Sequence, residues 1–366
     1  MKELEKKKTI YALTSDPATA EGREALKKAG EILRHGGTVI FPTETVYGLG
    51  ANALDSEAAV RIYAAKGRPA DNPLIVHIAE PDEADALCDC PPLYARLARA
   101  FMPGPLTVIM PAKPAVPKTV TAGLSTVAVR CPAHPVAHAL LLQAGIPIAA
   151  PSANLSGSPS PTCFMHVKED MDGRVDMIID GGECDFGVES TIVKIEEDGT
   201  LLLLRPGAIT LEDLAELGLE VRVADAVKSA LKEGETVLSP GMKYRHYAPK
   251  APLYLLEGSS ENREKFLAET KERIAYLAYD EEAHTFALPD VAIYPLGAEK
   301  DTAKQAKSLF RVLREADKGN FDAIYAPLPP SNGLGLALYN RMIRAAAHQI
   351  IKLPKGSEHL GSKEKN

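Results

Sequence analysis

Short runs of β-branched and aromatic residues alternate along this chain with longer stretches whose apolar positions recur every three or four residues. This is the pattern of strands interleaved with helices that pack on a sheet. In the first part, Ile10 to Leu13, Thr38 to Phe41, Leu74 to Ile78, Leu106 to Met110, Thr126 to Arg130, Ile146 to Ala150, Met177 to Asp180, Thr191 to Ile195 and Leu201 to Arg205 read as strands, the last pair as a hairpin. Helices are expected at Ala18 to Arg34, Asp55 to Ala65, Leu93 to Phe101 and Val136 to Gln143. After Leu219 the pattern weakens, and residues 220–250 read as a connector with one short helix. Strands at Leu253 to Leu256, Ile274 to Ala278, Val291 to Tyr294 and Ala323 to Ala326 then alternate with helices at Asn262 to Glu272, Thr302 to Ala316 and Leu336 to Ile351. The expected fold class is α/β: a mixed-sheet domain over residues 1–219 and a smaller Rossmann-like α/β domain over 251–353. The charged tail at 354–366 is expected to be disordered.

Bulk properties narrow the function. At 366 residues the chain is longer than a single core usually grows, which agrees with two domains. A net charge of -7 and a pI near 5.8 exclude a broad electrostatic footprint for nucleic acid or anionic membrane. Any anion site must be a focused cleft. The first residues carry charge without an apolar h-region and no run approaches a membrane span, so a cytoplasmic protein is expected. Five cysteines make no disulfide framework, and Cys88-Asp-Cys90 has no second pair to complete a zinc site.

The chemistry gathers between Thr38 and Ile78. A buried strand is stopped by Pro42 and opens into Pro42-Thr-Glu-Thr-Val-Tyr-Gly-Leu-Gly50, a loop in which Gly48 and Gly50 permit positive φ and Thr43 and Thr45 offer hydroxyls. The end of such a strand is where ligands sit in open α/β sheets. The helix that follows stops at Gly67 and Pro69 and leaves Lys66 and Arg68 on one loop, ahead of a strand ending near His77. Alone, Lys66 and Arg68 would be a surface charge pair; framed by this loop they form a candidate phosphate site.

Other signatures fall away. There is no G-x-x-x-x-G-K-[ST], and the G-x-G-x-x-A match at Gly48 to Ala53 lacks the strand spacing and acid of a dinucleotide site. His134 and His138 flank Pro135 with no zincin acid and read as helix-start residues. What recurs is anion handling: Lys66, Arg68, Arg130 and Arg205 each lie at an element end beside Pro or Gly, with Ser152, Asn154, Ser158 and Ser160 at hand. Glu189-Ser-Thr-Ile192 reads equally as a plain approach to a strand or as a wall of the same cleft. Between Pro240 and Pro249, Tyr244, Arg245, His246 and Tyr247 are too costly for a bland linker and read as a lid.

As a set, Pro42-Thr-Glu-Thr-Val-Tyr-Gly-Leu, Lys66-Gly-Arg68 with Asn72-Pro-Leu74, Ser152-Ala-Asn154 and Glu189-Ser-Thr-Ile192 resemble the signatures of the YrdC-like threonylcarbamoyl-AMP synthases. Ser239-Pro-Gly-Met-Lys-Tyr-Arg-His-Tyr-Ala-Pro249 is similar to the connector of that family's longer, two-domain branch. The match runs over about residues 10 to 250, with no departure at the motif positions. The resemblance implies a YrdC-like twisted mixed sheet around a concave cleft. It also implies a nucleotidyltransferase making L-threonylcarbamoyladenylate from L-threonine, bicarbonate or CO2 and ATP, with pyrophosphate released. This product feeds a downstream tRNA threonylcarbamoyl transferase machinery, with no stable nucleic-acid binding and no membrane. Carried over by motif, Lys66 and Arg68 are the catalytic cations, and Thr45, His77, Arg130, Ala150 and Ser190 take L-threonine. Arg68, Asn72, Thr126, Ser152, Asn154, Ser160, Arg205, His246 and Tyr247 take ATP, and Mg2+ arrives on the ATP phosphates. A non-catalytic RNA-binding module is the alternative, disfavoured by the acidic net charge.

Overall fold

The computed structural model describes residues 7–229 and 247–354. The first unit is one mixed sheet of β1 (Ile10–Leu13), β2 (Val39–Phe41), β3 (Gly48–Asn52), β4 (Ile75–His77), β5 (Leu106–Pro111), β6 (Thr126–Arg130), β7 (Ile148–Ala149), β8 (Met177–Asp180), β9 (Thr191–Ile195), β10 (Leu201–Arg205) and β11 (Val221–Val223). Its order is β1-β8-β2-β3-β7-β4-β6-β5-β9-β10-β11. The second unit holds β12 (Leu253–Glu257), β13 (Ile274–Tyr279), β14 (Ala292–Gly297), β15 (Ala323–Pro327) and β16 (Ile350–Lys352), all parallel, in the order β14-β13-β15-β12-β16. The α/β fold class with a second Rossmann-like sheet is therefore as expected.

Local chemistry explains the elements that frame the cleft. The helix Ala20–Arg34 starts at Thr19, whose hydroxyl accepts from the Gly22 amide, and buries Leu26, Ala29 and Leu33. The helix Ser56–Lys66 is capped by Asp55, which accepts from the Glu57 amide, and ends at Gly67 in the left-handed region with φ 62°. That turn sends Lys66 and Arg68 in different directions.

Four expectations need correction. Gly48 to Gly50 is not loop but the start of β3, antiparallel to β2, and neither glycine takes a positive φ. Gly50 is there for close packing, because a Cβ would meet Ile148 at 2.7 Å and Phe41 at 2.8 Å. The first unit does not end at Leu219: β11 pairs parallel with β10, a strand too short and too half-buried for its alternation to be read. The helix expected to run to Ile351 stops at Ala345, where Ala347 and His348 turn with positive φ and Ile350–Lys352 joins β12. Short helices at Phe164–Met171, Leu211–Glu216 and Asp280–Thr285 escaped the sequence reading. Most of the connector, and the tail from residue 355 onward, lie outside the described residues. Among the described residues no helix is long and apolar enough to cross a membrane.

The two units are tied by buried polar contacts. Arg314 forks onto Asp170 at 2.7 and 3.0 Å, and the Asn340 amide donates to the Val227 carbonyl at 2.7 Å. Tyr247 packs its ring on Phe310, centroids 5.2 Å apart.

Candidate active site

One cavity lies at the strand ends in the centre of the mixed sheet, about 610 Å³ including its open mouth. Its lip is the 42–47 loop, folded around the Thr43 hydroxyl. That oxygen accepts from the Thr45 and Val46 amides, each at 3.2 Å, and donates to the Val46 carbonyl at 2.6 Å. Parallel pairing of β4 and β6 puts His77 in register with Arg130, so a ring and a guanidinium leave the sheet side by side. Ala150 to Asn154 enter after β7, Glu189 and Ser190 just before β9, and Arg205 from the end of β10. Tyr247, half-turned by a φ of 62°, closes one wall.

Electrostatics distinguish the groups. Arg130 is paired with the buried Glu44 at 2.7 Å and donates to the Thr45 hydroxyl at 2.9 Å. Burial alone would raise the Glu44 carboxyl, but the charge of the Arg130 guanidinium beside it overrides that and holds it below its usual range. His77 is buried with Nδ1 at 3.2 Å from the Ile75 carbonyl. Burial, then the nearby Arg130 charge, pushes its pKa down to about 3, so the ring is neutral, and one of its nitrogens can accept a hydrogen bond. Arg205 donates to the Ser190 carbonyl and hydroxyl, each at 3.0 Å; burial lowers its pKa to about 10, still a cation at neutral pH. The Ser190 hydroxyl also meets Thr107 at 2.8 Å. The thiols nearest this region, Cys131 and Cys184, are driven upward by burial and are not thiolates.

The cavity gathers Thr45, Arg68, His77, Arg130, Ala150, Ser152, Asn154, Ser190, Arg205 and Tyr247 from the residues singled out in the sequence. It does not gather all of them. Lys66 is only 3% exposed and lies beneath the wall: its ammonium donates to the carbonyls of Ser152 and Asn154, the latter at 2.6 Å. Burial, then Arg68, drives its pKa well below the usual lysine range. The expected catalytic cation therefore meets the 152–154 loop and does not line the cavity, because the last helical residue points inward before Gly67 turns the chain. Asn72 is buried behind Arg68, and its side-chain amide finds no hydrogen-bond partner among the described residues. Ser160 is fully buried and donates to Glu189 at 2.5 Å. Thr126 starts β6, a strand's length from Arg130, and lines a different surface recess with Met110 and Arg222. His246 lies outside the described residues. His134 is a helix N-cap whose Nδ1 accepts from the Val136 amide, as read from the sequence.

Two participants were not legible. Glu44 is part of the Pro42 to Gly50 motif, and nothing in the local pattern shows that it is buried against Arg130. Glu189 was seen as a possible wall, but its partner, Arg341 at 2.9 Å, is 152 positions away on the helix Gly335–Ala345.

Comparison with known proteins bears on the same architecture. Residues 31–207 match the Sua5, YciO and YrdC family model, described as telomere recombination. Residues 209–347 match the model described as threonylcarbamoyl-AMP synthase, C-terminal domain. The chain is 44% identical to threonylcarbamoyl-AMP synthase of Bacillus subtilis, over 93% of this chain and 96% of the relative. It is 45% identical to that of Pyrococcus abyssi, over 90% and 96%. The crystal structure of P. abyssi Sua5 complexed with L-threonine superposes with a TM-score of 0.83 at 42% identity, covering 94% of this chain and 99% of that one.

Proposed function

The chain belongs to the threonylcarbamoyl-AMP synthases of the two-domain Sua5 type, and from that premise we propose that its central cavity is the site of a nucleotidyl transfer. The enzyme makes L-threonylcarbamoyladenylate from L-threonine, bicarbonate or CO2 and ATP, with release of pyrophosphate. The amine of threonine adds to CO2 and loses a proton to give a carbamate, and a carbamate oxygen attacks the α-phosphate as pyrophosphate leaves. The nucleophile is already anionic, so the protein needs no activated side chain. It must align two anions and offset their charge.

The observation that carries this reading is the convergence of Arg68, Arg130 and Arg205 on one half-enclosed cavity beside a neutral His77. Arg68 and Arg205 are assigned to the phosphates, with Ser152 and Asn154. Arg130 is assigned to the threonine carboxylate, its plane fixed from behind by Glu44 and Thr45. The neutral His77 ring is assigned to the threonine amine or hydroxyl, together with Thr45 and Ser190, which line the same cavity. Lys66 acts through the loop it supports, and the unpartnered Asn72 amide fits a ligand-facing or water-facing group behind Arg68.

No group of three His, Cys, Asp or Glu that could hold a metal occurs among the described residues, and Glu189 at the cavity is already paired with Arg341 and Ser160. These residues fit a Mg2+ that travels on ATP and screens its phosphates better than one held by the protein. The product, a reactive mixed anhydride, requires an acceptor enzyme that passes the threonylcarbamoyl group to tRNA. The test is pyrophosphate release. It should need threonine, bicarbonate and ATP together, with the adenylate identified by mass; release without threonine would overturn the reading.

A further inference from the structure

Among the described residues, the largest side chain that is fully buried is an arginine, and it belongs to the second unit. Arg341 reaches from the helix Gly335–Ala345 into the first unit and donates through Nε to Glu189 Oε2 at 2.9 Å. Its other nitrogens take the Glu189 carbonyl at 3.2 Å and the Pro206 carbonyl. Those two backbone segments carry the site: Ser190 follows Glu189, and Pro206 follows Arg205. They lie against each other at Gly207, where a Cβ would come within 2.5 Å of the Thr191 amide and 2.7 Å of the Glu189 carbonyl.

Among the described residues Glu189 is the one carboxylate that lines the cavity, and it lies within electrostatic reach of two cations, Arg341 and Arg205. Burial by itself would raise its pKa, and the Arg341 charge is the largest influence that brings it down. With Arg341 on Oε2 and Ser160 on Oε1, both carboxylate oxygens are engaged away from Arg205, which donates to Ser190 instead. A buried carboxylate that lost its partner would turn to the nearest remaining cation. Here that cation is Arg205, and it would no longer be available to an incoming anion.

Resting on the assignment of the cavity to ATP, we propose that Arg341 is a positioning residue for the first domain's active site: it supplies the counter-charge that holds Glu189 off Arg205. The second domain thereby completes the site without touching substrate. Docking the two units and presenting a free cationic face to phosphate become one event.

A charge-neutral double variant separates this role from simple cement. Arg341→Met, Glu189→Gln and the combination of both are made in the full chain, and ATP and pyrophosphate are each titrated by calorimetry, with melting curves as the check on folding. Arg341→Met should weaken both ligands roughly tenfold, as loss of a supporting partner of a buried charge does. Adding Glu189→Gln should bring affinity back to within about threefold of the parent, because no carboxylate remains to engage Arg205. Parental affinity in Arg341→Met, or a double variant as weak as the single one, overturns the proposal. If Arg341→Met alone does not fold, the double variant is compared with Glu189→Gln, and the proposal requires the pair to bind alike. A double variant that is tenfold weaker, or that also fails to fold, overturns it. A parent enzyme that binds pyrophosphate but not ATP would instead overturn the ATP assignment, and Arg341 would then be judged on pyrophosphate.

Discussion

The site contains two buried arginine–glutamate pairs built in opposite senses. In Glu44–Arg130, both partners come from the first unit, the arginine lines the cavity and the acid lies behind it. In Glu189–Arg341, the acid lines the cavity and the arginine stands behind it, delivered by the other unit. The first pair presents a cation whose orientation is fixed from the rear, and the second neutralises an anion that would otherwise oppose the ligand. Buried ion pairs are poor sources of stability because desolvation opposes their attraction. Their use here is to set which sign of charge each part of the wall shows.

The largest effect should come from removing the cavity-lining half of the inner pair. Arg130→Met leaves Glu44 buried without its partner and should destabilise the fold by about 3 to 5 kcal/mol in urea melts, besides abolishing threonine binding. A variant of parental stability would mean that Glu44 is protonated or solvated and that the pair does not set the wall. Arg68→Ala tests the contrasting case of a cation assigned to phosphate rather than to a buried acid. It should lower turnover by about 10² to 10³, with a smaller loss of stability of about 1 kcal/mol because the guanidinium also donates to the Asn72 and Pro73 carbonyls, each at 3.1 Å. Lys66→Met should do the reverse of what its position next to Arg68 implies. It strands the Ser152 and Asn154 carbonyls, so about 1 to 3 kcal/mol of stability should be lost along with activity. An unchanged melt with lost activity would return Lys66 to the phosphates.

Acid should reveal both pairs. Glu44 and Glu189 are held below the usual carboxylate range, so the stability they contribute is present above about pH 4.5 and is lost as pH falls through their folded values. His77 acts earlier. The unfolded chain takes up its proton below about pH 6.5 while the folded ring resists to about 3, so stability falls as pH drops. Between pH 7 and 5 this amounts to about 2 kcal/mol. His77→Gln should flatten the slope from about pH 6.5 down to about 3, leaving below pH 4.5 the part that belongs to the carboxylates; His134, His166 and His348, also depressed by burial, add to the remaining slope. An unaltered slope would place His77 in contact with water. The smallest effect is kinetic: Arg130→Lys keeps charge but loses the planar fork, so the threonine requirement should rise about tenfold and the ATP requirement little. Parallel loss of both would move Arg130 to the nucleotide.

Much of this was readable along the chain because the signals are local. Thr126 to Arg130, Met177 to Asp180 and Leu201 to Arg205 were read to the residue, since apolar runs bounded by turn residues depend on nothing distant. The candidate ligands at Thr45, Arg68, His77, Arg130 and Ser190 were legible because each sits at an element end where the chain must open. Direction was less legible than place. Lys66 and Arg68 are two positions apart, and only the left-handed turn at Gly67, set within the packed sheet, sends one under the loop and the other into the cavity.

The sequence by itself determined the alternation of strands and helices, the two units and the motif residues, because periodicity, glycine and proline act over a few residues. Tertiary structure alone decided the charge of the cavity wall. Glu44 and Arg130 are 86 positions apart, and Glu189 and Arg341 are 152 apart. Whether a glutamate is a solvated loop residue or a buried counter-ion depends on what the completed fold packs against it, and no local pattern of residues carries that information.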